Sequence, residues 1–143
     1  MIATTRPVIV TEGEVGLRNQ NDKKVQQILN TLGYTKSNGD YILCLNDDTK
    51  ALDPDWLTEM VSICQQNDVG IVGAKLLHSN GTIQHAGAVF LKSGSGFHVF
   101  ENILEKDTGF FNMHNMIRNF SAVTGACLLI KKTIFEKINR YDD

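Results

Sequence analysis

The stretch Asp40-Tyr41-Ile42-Leu43-Cys44-Leu45-Asn46-Asp47-Asp48-Thr49 limits this chain more than any other. A short apolar run follows Asn38-Gly39 and ends abruptly in an amide, two carboxylates and a hydroxyl. Its length and boundaries predict a strand over 40–45 that is buried on both faces, as strands of parallel sheets are. Open sheets of that kind bind ligands just beyond the carboxyl ends of their strands. Asp47 and Asp48 repel each other there, and a hard divalent cation with oxygen ligands would offset them. The bland reading is a solvated turn, because Asn and Asp are common turn residues.

Composition narrows the class. Hydrophobic residues make up 42% of the 143 and charged residues 21%, which fits a globular domain of ordinary size. A net charge of −2 provides no general attraction to nucleic acid or to acidic membranes, and no nucleic-acid partner is expected. Cys44, Cys64 and Cys127 are odd in number, far apart and set in apolar segments. They read as buried reduced thiols in a cytosolic compartment, without zinc spacing. No signal-like segment opens the chain, and no apolar run nears the roughly 20 residues that span a bilayer. The sequons at Asn80 and Asn119 are read as chance.

Taken in order, Val8-Ile9-Val10 suggests a short strand and Glu12 to Asn21 a loop. Val25, Ile28, Leu29 and Leu32 share one helical face, with Asp22 placed to cap the start and Gly33 near the end. After the acids, Asp53 suits an N-cap, Pro54 the first helical position and Asp55 the positive end of the dipole, for a helix through about residue 66. Trp56, at helical spacing with Met60, reads as core. Residues 69–77 form the next strand, and strand–helix–strand spacing predicts a right-handed crossover onto a parallel sheet. Asn80-Gly81 signals a hairpin into a strand over 83–91. Lys92 to Arg118 is a long glycine- and aromatic-rich loop, of the kind that is usually functional or mobile. A strand over 121–130 carries Gly125 at its middle, which marks either a bulge or a close approach of ligand or backbone. A helix begins at Lys131.

Other chemistries fail on pattern. No glycine-rich stretch ends in Gly-Lys-Ser or Gly-Lys-Thr, and Gly94-Ser95-Gly96 is no dinucleotide fingerprint. Asp47, Asp48, Asp53 and Asp55 lack the central glycine of a calcium loop, and there is no serine elbow. His78, His85, His98 and His114 are scattered without zinc spacing. His85 is expected to be a hydrogen-bonded structural residue, with substrate contact the lesser alternative. His98, in the long loop, is the more open to ligand.

Asn30-Thr31-Leu32-Gly33, the 39–49 stretch and Asp53-Pro54-Asp55-Trp56-Leu57 together resemble family-two glycosyltransferases of the GT-A fold. The resemblance continues through residues 69–77, Gly81 to Gly87 and Asn119 to Leu128, covering about residues 25–143, and is nearest to bacterial rhamnosyltransferase-like members that build surface polysaccharides. Each piece alone is weak; their order and spacing make it specific. The resemblance implies an α/β fold with a mixed, mostly parallel sheet flanked by helices. It also implies transfer of a hexosyl or deoxyhexosyl group from a nucleotide-diphosphate sugar to a glycan or lipid-linked acceptor, with inversion. Asn46-Asp47-Asp48 resembles the acidic DxD signature of the donor site. Asp48 would bind Mg²⁺ or Mn²⁺, and Asp47 would face the donor's ribose or diphosphate. Asn46 stands where many relatives have an acid. Thr124, Gly125 and Ala126 resemble the acceptor-side segment. A bound metal would stabilise the charge on the leaving diphosphate, and an acid elsewhere would deprotonate the acceptor hydroxyl.

The family's first strands, which grip the nucleotide base, have no counterpart here, and its catalytic acid follows a segment resembled by Tyr141-Asp142-Asp143. The chain is therefore expected to be one partial domain over 1–143, inactive alone, with Asp143 a remote candidate base. A non-catalytic binding module on the same scaffold is the alternative. The expected location is cytoplasmic, with a peripheral inner-membrane position open to the full-length form. A sheet without its first strands exposes an unpaired edge, which predicts self-association.

Overall fold

The computed structural model describes residues 2–11 and 38–138 of the chain. The helix expected over 22–33 and the candidate base Asp143 lie outside those residues.

The organising strand forms where the apolar run places it, as β2 (Tyr41–Leu45). It is one of six strands in a mixed sheet. The others are β1 (Ile2–Thr11), β3 (Thr49–Ala51), β4 (Ile71–His78), β5 (Ile83–His85) and β8 (Cys127–Lys131). The order is β2-β8-β4-β1-β3, with β5 also paired to β4. Only β1 and β4 pair in parallel; β8 is antiparallel to both β2 and β4. The expected mostly parallel sheet is therefore corrected. β2 and β4 do point the same way, as the intervening helix requires, but β8 enters between them from the opposite direction. The short strand expected at 8–10 is the end of the ten-residue β1. Its register against β4 shifts between Thr4 and Val8, around Pro7, which has no N–H to give a ladder.

One edge of β4 carries β1 along its length. The other is divided, with β8 on Ile71–Gly73 and β5 on Leu76 and Leu77. Six consecutive β4 residues, Val72 to Leu77, are buried, because both faces are covered. On one face, Met60, Ile63 and Cys64 of helix α1 (Trp56–Cys64) pack on Val72, Ala74, Leu76, Cys127 and Leu129, with Trp56 partly buried against them as expected. Alternation along β8 turns Leu128 and Ile130 to the other face, where Phe135 and Ile134 of helix α2 (Lys132–Lys137) cover them together with Ile42.

Local chemistry moves several boundaries. Asp53 does not cap α1. Its Oδ1 accepts the Asp55 N–H at 2.7 Å, closing a turn one step earlier, and the first helical bond runs from Glu59 N–H to the Asp55 carbonyl at 3.0 Å. The strand expected over 83–91 breaks at Gly87 into β5 and β6 (Ala88–Phe90), and β6 pairs instead with β7 (Gly96–His98). Gly87 has φ +112 and lies against the Phe120 ring, where a Cβ would collide, so no other residue fits. The strand expected over 121–130 starts only at Cys127, leaving Gly125 outside it and no bulge there. The long loop holds β7 and a single 3-10 turn at Met113–Asn115.

Candidate functional site

At the end of β2 the backbone turns sharply. The carbonyl of Asn46 accepts the Thr49 side-chain hydroxyl at 2.6 Å and the Thr49 amide at 3.4 Å. That turn delivers the chain into β3, which pairs with the end of β1 through Thr49 and Thr11. Asn46 and Asp47 are exposed and Asp48 is half-buried.

Asp48 is the informative member. Its Oδ1 is buried and has no hydrogen-bond partner among the described residues. A buried carboxylate oxygen without a donor costs on the order of 1–3 kcal/mol, and native proteins rarely leave one so. Among the described residues no basic side chain neutralises Asp47 or Asp48; the ion pair there joins Lys75 and Glu105. A hard cation satisfies an oxygen of this kind, so Asp48 fits a magnesium or manganese ion. No group of three His, Cys, Asp or Glu side chains among the described residues forms a metal cage.

The segment resembling the acceptor side lies alongside. Leu45 pairs with Cys127, and one step further the Asn46 N–H donates to the Ala126 carbonyl at 2.9 Å. The structure thus brings Asn46, Asp47 and Asp48 together with Thr124, Gly125 and Ala126 at one end of the sheet. A Cβ on Gly125 would meet nothing within 4 Å among the described residues, which leaves the surface beside it open there. A cavity of about 450 Å³ lined by Asn67 to Ile71, Lys131, Thr133 and Ile134 lies at the opposite end of β8, away from these residues.

Two residues near the segment were not singled out for the roles the structure gives them. His85 is buried, as a structural histidine would be, yet its partner is the acceptor-side segment: Nε2 accepts the Thr124 N–H at 3.2 Å. Its Nδ1 lies 3.3 Å from His98 Nδ1, with the two rings edge-on at 4.8 Å. Burial, helped by His98, pushes the His85 pKa down to about 4, so the ring is neutral at pH 7. Lys75 is only 2% exposed, in the middle of β4. Its Nζ bonds Glu105 Oε1 at 2.9 Å and Asn115 Oδ1, fastening the long loop to the sheet. The one signal in the sequence was a charge inside an apolar strand. His114 is also buried and donates from Nε2 to the Glu105 carbonyl at 3.1 Å, which closes the same loop.

The thiols are structural. Cys64 and Cys127 are buried, and burial raises both pKa values, that of Cys127 to about 12 with Cys44 adding to the shift. Among the described residues no helix is long and apolar enough to cross a membrane.

The chain is 41% identical over 110 residues to an uncharacterized protein of Sinorhizobium fredii, a match covering 77% of this chain and 12% of that protein. It is 36% identical over 116 residues to the O-antigen biosynthesis protein RfbC of Myxococcus xanthus, covering 80% of this chain and 9% of the relative. The chain therefore spans about a tenth of the length of these relatives. No solved structure matches it. The profile of Glycosyl transferase family 2 matches residues 17–138, most of the sequence and all of the strand-end site, and the chain belongs to that family.

Proposed function

We propose that this chain carries the metal- and diphosphate-binding edge of an enzyme that transfers a sugar from a nucleoside-diphosphate donor to a glycan or lipid-linked acceptor. The observation that carries the reading is the buried Oδ1 of Asp48, without a partner among the described residues, at a strand end beside the open Thr124–Ala126 segment. In this reading Asp48 holds Mg²⁺ or Mn²⁺ and Asp47 faces the ribose or diphosphate. Asn46 sets the turn through its carbonyl and adds no charge, so the metal is held weakly until the donor's phosphates arrive. A divalent cation, when bound, supplies positive charge against the leaving diphosphate. Thr124, Gly125 and Ala126 line the side from which the acceptor hydroxyl approaches for an inverting displacement. The relationship to a protein of O-antigen biosynthesis supports a surface polysaccharide as the class of acceptor. The buried thiols of Cys64 and Cys127 support a reducing, cytoplasmic location.

The test is calorimetric titration with Mn²⁺ and a panel of nucleoside diphosphates. Metal-dependent binding that Asp48→Asn abolishes is the expected result. If a longer form carrying the family's upstream strands binds no diphosphate, the reading fails. Asn46, in place of an acid, favours a second reading as a non-catalytic binding module. Diphosphate binding without transfer or donor hydrolysis by the longer form would select it.

A further inference from the structure

We infer that His85 is a positioning residue for the acceptor side of the site, holding the Thr124–Ala126 segment against the Asn46–Asp48 turn through the lone pair on Nε2. What the segment does rests on the sugar-transfer reading; how it is held rests on the contacts alone.

The gap between β8 and β5 on the shared edge of β4 is where the segment runs. Two hydrogen bonds hold the segment at its ends. At one end the Ala126 carbonyl accepts from the Asn46 amide; at the other the Thr124 amide donates to His85, 39 residues away in sequence. A backbone amide can only donate, so His85 Nε2 must be unprotonated and the ring proton must sit on Nδ1. That N–H faces His98 Nδ1 on β7, the titratable group that abuts the ring. His98 Nδ1 also lies 3.1 Å from the Gln84 carbonyl, which only accepts. One nitrogen cannot accept from His85 and donate to Gln84 at once. His98 is therefore the adjustable partner, and Thr124 alone fixes the His85 tautomer. Protonating His85 would set an N–H against the Thr124 N–H and release the segment. With the ring 1% exposed, water does not take the place of that bond.

The experiment follows amide exchange and ¹⁵N chemical shifts in the whole 143-residue chain, for wild type, His85→Gln and His85→Leu. The glutamine amide oxygen reaches about where Nε2 lies and can accept; leucine cannot. In wild type, His85 Nε2 should resonate as an unprotonated ring nitrogen. His85→Leu should speed exchange at Thr124 about tenfold, and the loss should extend to the Asn46 amide at the other end of the segment. The Lys132 amide, bonded to the Asp40 carbonyl at the far end of the β2–β8 ladder, should not change. His85→Gln should restore protection at both sites. Lowering the pH of wild type through about 4 should release Thr124 and Asn46 with one midpoint, a measurement that needs no variant to fold. Loss at Thr124 without any at Asn46, or equal behaviour of the glutamine and leucine variants, overturns the inference. The sugar-transfer reading fails on a different readout, the absence of Mn²⁺-dependent nucleoside diphosphate binding.

Discussion

Val123 sits directly over Gly73, so close that a Cβ on the glycine would overlap its side chain. The contact joins the middle of β4 to the residue just before the Thr124–Ala126 segment. Gly73→Ala must push Val123 outward or force the strand to shift, and overpacking of this kind costs about 1–3 kcal/mol. Chemical denaturation of Gly73→Ala should show that loss. If the open surface beside Gly125 belongs to the acceptor side, the variant should also weaken acceptor use more than donor binding.

Asp48→Asn separates stability from function. Removing the charge from a buried oxygen that lacks a partner among the described residues should stabilise the metal-free protein by about 1 kcal/mol, a rise of about 3 °C in Tm. The same change should lower Mn²⁺ affinity at least tenfold. A variant that is less stable without metal would show that a donor in the protein already serves Oδ1.

Stability should depend on pH through His85. Its folded pKa is about 4 against an ordinary 6.5, so the unfolded chain binds the proton more readily. The stabilising contribution is complete above pH 6.5, falls as the pH drops toward 4, and is gone below it, about 3 kcal/mol in all. Urea midpoints measured from pH 7 to pH 4 should decline over this interval in wild type and stay flatter in His85→Gln.

Lys75→Ala should free the long loop. The substitution removes the Glu105 and Asn115 bonds together, while Glu105, whose side chain is one-third exposed, regains water. The net cost is about 2 kcal/mol. Proteolysis should move to residues 104–118, with β4 and α1 remaining protected.

Self-association is expected at micromolar to millimolar concentration. β2 pairs with β8 on one side only, and among the described residues its other edge is open. Light scattering that reports a clean monomer over that range would remove this expectation.

What could be read from the sequence were the features that local chemistry decides. The apolar run before Asn46 defines β2 to within a residue, and Asn80-Gly81 makes its turn between β4 and β5, with the Asn80 side chain accepting from Thr82 N–H and Oγ1. The acid pair and the Thr124–Ala126 segment were both visible as motifs, though nearly 80 residues apart, and their meeting depends on antiparallel pairing that no local pattern contains. That pairing is also why the sheet around β2 is not parallel: β8, from the far end of the chain, runs antiparallel between β2 and β4. Gly87 was read inside a strand because alternation continues through it, whereas the Phe120 ring breaks the strand there. His85 and Lys75 act through residues 30 to 40 positions away, and spacing cannot reveal partners at that range.

Among the described residues the acid-bearing strand is moored to the body of the sheet by one neighbour. An ion seated at its tip would thus be felt as resistance to fraying all along Tyr41–Leu45, in the manner of a clasp at the end of a zip. Cargo capture and local rigidity become one quantity, and slow proton exchange in β2 would report when the tip is loaded.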